Sequence, residues 1–258
     1  MTDYHFCTVA DEGRVRIVTI NRPEVLNALH SEAHWEFDRV WNEFAASPDL
    51  WVGIITGAGN RAFSAGNDLK VQAAGRRGKR PKTGFAGLTS RFDLDKPLIA
   101  AVNGVAMGGG FETALACDII VAAENAVFAL PEPRVGLIAG SGVHRLPRMI
   151  PQKQALGMIL TGRRVSAAEG QALGFVNEVV PAGEALAAAR RWASQVLECS
   201  PMAIRASKQV VYHSLDEPTL AAAMQRTYPA QEANLASQDY IEGPRAFAER
   251  RKPNWQNR

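Results

Sequence analysis

Two glutamates, Glu112 and Glu132, are the residues of this 258-residue chain whose type and setting best suit chemistry. Glu112 follows three consecutive glycines, residues 108–110, in the stretch LIAAVNGVAMGGGFETALACD at residues 98–118. Glycines before a helix leave backbone N–H groups uncovered beside the positive end of the helix dipole, which favours a bound anion. A first-turn glutamate that only stabilises the helix dipole explains Glu112 equally well at this stage.

Between the two glutamates, the chain is expected to form a strand, a turn and a second strand. This reversal of direction can bring both carboxylates to the same end of the fold. Residues 118–123 (DIIVAA) and 126–130 (AVFAL) are typical of two strands joined by a turn. Paired carboxylates beside a dipolar pocket suit proton transfer, in which one takes a proton from water and the other gives one to carbon. The spacing alone is not specific, because any two glutamates of an α/β protein can be separated in this way.

Strands and helices alternate among the elements that must position these glutamates. Apolar or alternating runs predict strands at residues 15–20, 51–56 and 98–102. A helix is predicted over residues 31–44, with Ser31 as its N-cap. Its apolar side chains fall near helical spacing at Trp35, Val40, Trp41 and Phe44.

The composition changes to Ala-rich helices from about residue 167. Helices are predicted at residues 184–198, at residues 201–215 and from residue 218 until Pro229 interrupts the last one. We therefore expect an α/β core over residues 1–195 and a separate helical subdomain over residues 196–258. The apolar faces of that subdomain would be completed by another subunit.

Composition and charge exclude several classes of protein. Hydrophobic residues make up 47% and charged residues 21%, which is typical of a globular chain with a core, and a net charge of +3 is too small to indicate nucleic acid. The three cysteines, Cys7, Cys117 and Cys199, form no C-x-x-C pair and favour reduced thiols over a disulfide framework or a zinc site. With no signal peptide and no apolar run near the ~18 residues of a membrane span, we expect a cytoplasmic location.

A basic segment at residues 75–84, GRRGKRPKTG, has three open interpretations. It could steer a phosphorylated substrate, bind RNA or form a mobile, solvated lid, and charge runs are usually solvated. The run from Arg76 to Lys82 contains no aromatic side chain on which a base could stack, which argues against single-stranded RNA.

Five separated motifs carry a resemblance to a known family. They are NRPEVLNAL with Asn27, FSAGNDLK with Asp68, the central AAVNGVAMGGGFETALACDIIVAAENAVFALPEPRVGL, MILTGRRVSAAEGQALGFVNEVV at residues 158–180 and EGPRAFAERRKPNW at residues 242–255. Together and in this order, they resemble the enoyl-CoA hydratase/isomerase (crotonase) family over nearly the whole chain.

The resemblance implies an α/β fold with a crotonase-type spiral of ββα units and C-terminal helices that pack in trimers, often paired into hexamers. It implies an acyl thioester of coenzyme A as substrate, with coenzyme A as part of that substrate and no further cofactor, metal, nucleic acid or membrane partner. It places two backbone N–H groups, those of Asn67 and Gly109, on the thioester oxygen as an oxyanion hole.

The same resemblance assigns Glu112 and Glu132 to the two acids of family hydratases, which add water across the C2=C3 bond. Family isomerases often keep only the second acid, so both acids together favour hydration or its reversal, dehydration. Isomerisation and dehydration of an unusual hydroxyacyl-CoA stay open as alternatives. Substrate and coenzyme A contacts are expected at Val25, Ala28, Ala65, Asp68, Leu69, Gly108 and Gly140.

The sequence departs from the family pattern at two places. Asn67 stands where a small residue is common, so its side chain narrows or polarises the pocket although its N–H is kept. Residues 139–144, AGSGVH, replace a Pro-Gly-x-Gly-Gly-Thr-Gln run. One hypothesis is that His144 reaches the acyl group, although a loop histidine is more often structural or solvated.

Overall fold

The structure is a computed structural model that describes residues 4–73 and 78–258. The strands are β1 (Cys7–Glu12), β2 (Val15–Ile20), β3 (Val52–Gly57), β4 (Ala62–Ser64), β5 (Leu98–Val102), β6 (Val105–Met107), β7 (Ile119–Ala123), β8 (Val127–Ala129), β9 (Val165–Ser166) and β10 (Glu178–Val180). The helices are α1 (Ser31–Ala46), α2 (Leu69–Ala73), α3 (Gly109–Leu115), α4 (Gly142–Met149), α5 (Gln152–Thr161), α6 (Ala167–Leu173), α7 (Ala185–Leu197), α8 (Pro201–Ser214), α9 (Leu220–Gln225), α10 (Pro229–Leu235) and α11 (Gln238–Ala248).

A six-stranded sheet forms the centre of the fold, in the order β1-β2-β3-β5-β7-β10. All neighbours pair in parallel except β1, which pairs antiparallel with β2. Both faces of the central strands are covered, so every residue of β3 and β5 is buried, and their sequences do not alternate between apolar and polar residues. One face packs against the small side chains of α7, including Ala188 and Ala189, and the other packs against α1.

A second sheet has the order β4-β6-β8-β9, and its strands alternate along the chain with those of the first sheet. The chain enters the six-stranded sheet with β3, β5 and β7, and after each of these it enters the second sheet with β4, β6 and β8. A helix follows each pair of strands. This repeated strand–strand–helix turn is the ββα spiral expected from the resemblance, and that expectation is confirmed.

The predicted strands at residues 15–20 and 98–102 coincide with β2 and β5, and the helix from residue 31 extends two residues further than predicted. The prediction that Ser31 caps this helix is wrong. The N-cap is His30, whose Nδ1 accepts a hydrogen bond from the backbone N–H of Ala33. Ser31 Oγ instead donates to the carbonyl oxygen of Lys79, 2.6 Å away, a contact that depends on a distant segment.

The C-terminal helices α7 and α8 confirm the two amphipathic helices predicted there. The prediction for Pro229 is wrong, because this proline begins α10 instead of interrupting a helix. Proline suits the first helical position, where its missing N–H is not needed. The helix α8 packs against α10 and α11, and the proposed boundary near residue 195 stays a prediction.

No helix in the described residues is both long enough and apolar enough to cross a membrane. The cysteine prediction is confirmed, because all three thiols are free. Cys7 and Cys117 are buried, and Cys199 is exposed.

Candidate active site

The glycine-to-helix junction brings the two glutamates into contact with one turn of backbone. Gly108 has a φ of +52°, and it precedes α3, which carries Glu112 in its first turn. A Cβ atom on Gly108 would lie 2.6 Å from Oε1 of Glu132. Glycine is needed here for two reasons, the left-handed backbone and the close approach of a carboxylate.

Backbone N–H groups fix the Glu112 carboxylate. Its Oε1 accepts hydrogen bonds from the N–H of Ser141 at 2.6 Å and of Gly142 at 2.7 Å. Gly142 is the first residue of α4, so the carboxylate also lies at the positive end of that helix. With one oxygen held in this way, the orientation of the whole carboxyl group is set. The glycine-rich run at residues 136–142 marked a loop, but no signal in it indicated that its N–H groups would bind Glu112.

Glu132 has a contrasting environment in the short 3-10 helix Glu132–Val135. Its Oε2 is buried and has no hydrogen-bond partner within the described part of the chain. Burial raises the pKa of Glu132 to about 7; a backbone hydrogen bond opposes this rise, and the charge of Glu112 adds to it. A carboxyl group of this kind holds a proton near neutral pH and can give it to a substrate.

Asn67 and Gly109, whose backbone N–H groups are the predicted oxyanion hole, line the same cavity as Glu112. A parallel bridge joins Leu29 to the loop after β4, through Leu29 N–H to the Gly66 carbonyl and Asp68 N–H to the Leu29 carbonyl, both 2.8 Å. Asn67 is the residue between these two bonds. A Cβ on Gly66 would lie 3.0 Å from the nitrogen of Gly109. The N–H groups of Asn67 and Gly109 therefore border the same small space.

Buried Asn27 holds this loop in place. Its Oδ1 accepts from the backbone N–H of Arg22, and its Nδ2 donates to the carbonyl oxygens of Ala58 and Ala62. Its own carbonyl oxygen accepts from Ser64 Oγ, 2.8 Å away in β4. The asparagine of the NRPEVLNAL motif thus fixes the segment that contains Leu29, and the loop around Asn67 pairs with that segment.

A cavity of about 650 Å³ contains the site. Nine of the eleven predicted site residues line it: Ala65, Asn67, Asp68, Leu69, Gly108, Gly109, Glu112, Glu132 and Gly140. Val25 and Ala28 do not line it. They lie near its rim, where Arg22 bonds the Ala28 carbonyl and pairs with Asp68 at 3.3 Å.

The structure does not bring His144 together with the two glutamates. His144 lies on α4 instead of in a loop, its side chain is exposed, and it lines a different cavity of about 500 Å³. Gly140 borders both cavities. The hypothesis that His144 reaches the acyl group therefore finds no support in the geometry.

The basic segment is described only from residue 78 onward, and Arg76 lies outside the described residues. The Lys79 carbonyl oxygen accepts hydrogen bonds from Ser31 Oγ at 2.6 Å and Trp35 Nε1 at 3.0 Å, which fixes the segment to α1. Arg80 lines the cavity. The charge run by itself did not single out Arg80, because only its place on the cavity wall distinguishes it from its basic neighbours.

No group of three or more His, Cys, Asp or Glu side chains that could hold a metal ion is found in residues 4–73 and 78–258.

Comparison with known proteins gives the same family over the whole chain. The family model for enoyl-CoA hydratase/isomerase matches residues 11–258. Carnitinyl-CoA dehydratase of Salmonella typhi is 44% identical over 258 residues, covering 95% of this chain and 96% of that protein.

Solved structures agree with this match. The enoyl-CoA hydratase of Mycobacterium tuberculosis H37Rv superimposes with a TM-score of 0.92 at 37% identity, covering 98% of this chain and 99% of that one. A carnitinyl-CoA dehydratase of Mycobacterium avium 104 gives a TM-score of 0.78 at 40% identity, with 98% and 99% covered. With its ββα spiral and matching sequence, the chain belongs to the enoyl-CoA hydratase/isomerase family and has the crotonase fold.

Proposed function

We propose that the protein is an enoyl-CoA hydratase that adds water across the C2=C3 double bond of a 2-enoyl-CoA. One observation carries the proposal: two glutamates line one cavity in opposite environments. Glu112 has an oxygen bound by two N–H groups, whereas Glu132 has a buried, unpartnered oxygen and a pKa raised to about 7. Such a pair supplies a base and an acid at the same pH.

The thioester oxygen would accept hydrogen bonds from the N–H groups of Asn67 and Gly109. Attack at C3 moves electron density through C2 onto that oxygen, and the two donors stabilise the enolate as it forms. One donor of this kind typically contributes about 10²–10³ in rate. The dipole of the short helix α3 acts in the same direction, because Gly109 is its first residue.

The two glutamates would then transfer the protons that the addition of water requires. Its oxygen bonds to C3 while Glu112 takes one of its protons, and Glu132 gives its own proton to C2. The product is a 3-hydroxyacyl-CoA, and the pair has moved one proton from Glu132 to Glu112. Exchange with solvent restores the starting state, so atoms and charges balance over a turnover.

Dehydration of a 3-hydroxyacyl-CoA is the second candidate, and the relatives named carnitinyl-CoA dehydratase favour it. It uses the same residues in reverse: Glu132 takes the proton from C2, and Glu112 protonates the departing hydroxyl group. Both directions share one transition state, so the choice between them depends on which acyl-CoA is supplied.

A homo-oligomer, a trimer or a pair of trimers, and a cytoplasmic location complete the proposal. Large apolar side chains exposed on the C-terminal helices support the oligomer, because a second subunit could cover them. They include Val211, Leu220, Met224, Ile241 and Phe247.

The direct test is the loss of enone-thioester absorbance when the purified protein meets crotonyl-CoA, run beside a branched and an aromatic enoyl-CoA. Fast loss with any of the three is expected. No loss with all three, while the coenzyme A esters bind, would refute hydration and favour an isomerase or a specialised dehydratase.

A further inference from the structure

A buried histidine, His34, lies on the wall of the cavity, and one of its two ring nitrogens has no hydrogen-bond partner in the described part of the chain. His34 occupies a position on the core face of α1, where Phe37 and Trp41 are fully buried, and it is itself only 1% exposed. It also lines the cavity that contains the two glutamates. Its ring and the carboxylate of Glu36 are the polar groups among the buried side chains of α1, and a polar residue at such a position is the signal by which the sequence could have revealed His34.

The hydrogen-bonding state of His34 is determined by its surroundings. Its Nδ1 accepts a hydrogen bond of 3.3 Å from the backbone N–H of Ala86, so the ring proton is on Nε2. Burial, together with the charges of Arg80 and His30, lowers the pKa of His34 to about 3, so the ring is neutral. Nε2 finds no partner in the described residues. A buried N–H donor without an acceptor is unfavourable. This indicates that an atom of a bound ligand accepts the hydrogen bond from Nε2–H.

Phe85 connects this donor to the oxyanion hole. The rings of His34 and Phe85 lie 4.4 Å apart between centroids. A Cβ on Gly109 would lie 2.5 Å from the Phe85 ring, so that ring packs directly under the oxyanion residue. The Phe85 ring thus lies between His34 and Gly109, where the thioester oxygen is expected.

Arg80 borders the same place from another side. Its guanidinium carbon lies 5.6 Å from the centroid of the Phe85 ring, and its Nη2 donates to Oδ1 of Asn67 at 3.3 Å. The Lys79 carbonyl next to it is bound by Ser31 and Trp35, so the backbone that carries Arg80 is fixed to the first turn of α1. The guanidinium is therefore positioned at the cavity instead of extending freely into solvent.

The helix α1 adds a positive potential to this wall. It has 16 residues, and His30, Ser31 and His34 from its start all line the cavity. The positive end of its dipole therefore faces the cavity beside Arg80.

Two of the three acidic side chains that line the cavity are engaged elsewhere, and the third, Glu132, lies against Gly108 with a pKa raised to about 7. Asp68 pairs with Arg22 at 3.3 Å, and Glu112 is bound to the start of α4. Arg134, a further cationic residue of the lining, donates to the Thr161 carbonyl oxygen. The wall formed by His30, Ser31, His34, Arg80 and Phe85, which we call the donor wall, thus offers hydrogen-bond donors and positive charge.

We propose that the donor wall binds a carboxylate on the acyl chain, so that the preferred substrates are coenzyme A thioesters of dicarboxylic acids. This inference rests on the proposed function and specifies its substrate class. A carboxylate oxygen would accept a hydrogen bond from His34 Nε2–H, and the carboxylate would form an ion pair with Arg80. A hydrocarbon chain would leave the histidine unpaired, and a trimethylammonium group would meet positive charge of its own sign.

A matched series of thioesters tests this substrate class. But-2-enoyl-CoA is prepared with a carboxylate, a methyl or a trimethylammonium group on C4, so only the charge and polarity at one carbon differ. We expect the carboxylate substrate to have a kcat/KM about 10–100-fold above the methyl substrate, as a charge-assisted hydrogen bond allows, with the trimethylammonium substrate lowest. Equal values, or a higher value for either other substrate, would overturn the inference while leaving hydration intact.

Variants of the donor wall provide the second arm. In His34→Leu and Arg80→Met, the ratio of kcat/KM for the carboxylate substrate to kcat/KM for the methyl substrate should fall towards one, mainly through a higher KM for the carboxylate substrate. Lys70→Gln is the matched control, because Lys70 is an exposed residue of α2 and does not line the cavity. A preference that survives in both folded variants would refute the role of the wall.

Binding of saturated analogues distinguishes the two proposals. Glutaryl-CoA should bind more tightly than valeryl-CoA to the wild-type protein, and equally in Arg80→Met. If this difference appears and no thioester is hydrated, the proposed reaction fails while the substrate class stands. If hydration proceeds and no difference appears, the substrate class fails alone.

Discussion

The two glutamates of the cavity differ in one respect that decides their chemistry, which is whether the fold satisfies their oxygens. Glu112 meets the first N–H groups of α4, whereas Oε2 of Glu132 is buried without a partner in the described structure. Burial of an oxygen without a donor favours the neutral form of a carboxyl group, and the pKa of Glu132 is raised accordingly. In the proposed reaction, two identical side chains would act as base and acid because their surroundings differ.

The largest effect that would test this comparison comes from Glu132→Gln. The amide keeps the shape of the side chain and cannot donate a carboxyl proton, so we expect kcat to fall by at least about 10³-fold, within the range of general acid catalysis. Acyl-CoA binding should persist in a titration with butyryl-CoA. Glu124→Gln is the matched control, because Glu124 is exposed in the turn between β7 and β8. Full activity in Glu132→Gln would remove the assignment of the acid.

The second largest effect is expected from Gly108→Ala, which would displace the Glu132 carboxylate. The new Cβ would lie 2.6 Å from Oε1 of Glu132, and the φ of +52° is unfavourable for alanine. We expect Glu132 to be displaced and kcat to fall about 10–100-fold, in line with the sensitivity of catalysis to small shifts of position. Gly174→Ala controls for the strained backbone, since Gly174 also has a positive φ and meets nothing within 4 Å. An unchanged kcat would show that Glu132 need not hold this position.

The pH profile sharpens the same comparison. The catalytic pair must carry one proton, and the pKa of Glu132 is about 7. We expect kcat/KM to fall as the pH rises through about 7, by tenfold for each further pH unit. Because hydration and dehydration share a transition state and the net reaction releases no proton, this alkaline limb should be the same in both directions. A profile that is flat from pH 6 to 9 would contradict the proton on Glu132.

The smallest effect is on stability. A carboxyl group whose folded pKa is raised favours the folded state at low pH, and it loses that contribution as the pH rises from the unfolded value of 4.5 to about 7. The change in the free energy of unfolding caused by Glu132→Gln should therefore be more favourable at pH 8 than at pH 5. The difference should be roughly 1 kcal/mol after allowance for partial exposure. Thermal unfolding of both proteins at the two pH values measures this. A variant that is less stable at pH 8 than at pH 5, relative to wild type, would indicate that Glu132 is a structural carboxylate.

Much of the fold and part of the site could be predicted from the sequence, because those features depend on local pattern. The apolar run at residues 98–102 has no polar face, so it had to be a strand buried on both sides, and β5 has these bounds. The motifs around Asn67, Gly109, Glu112 and Glu132 identified the family and named residues that line one cavity. Local pattern was also enough for the helices α7 and α8.

The remaining features depend on contacts between distant residues, which no local pattern contains. The cap of α1 is His30 because Ser31 is drawn to Lys79, 48 positions away. His144 was considered as a residue that reaches the acyl group, but it lies on α4 and lines another cavity.

The sequence by itself thus determined the family, the ββα pattern and the two glutamates, since each is encoded by residue type and spacing. Only the tertiary structure decided their roles. The donors of Glu112 come from Ser141 and Gly142, about thirty residues further along the chain, and the burial of Glu132 comes from the packing around it. The charge state of a carboxyl group depends on the donors and the solvent around it, and these exist only once the chain is folded.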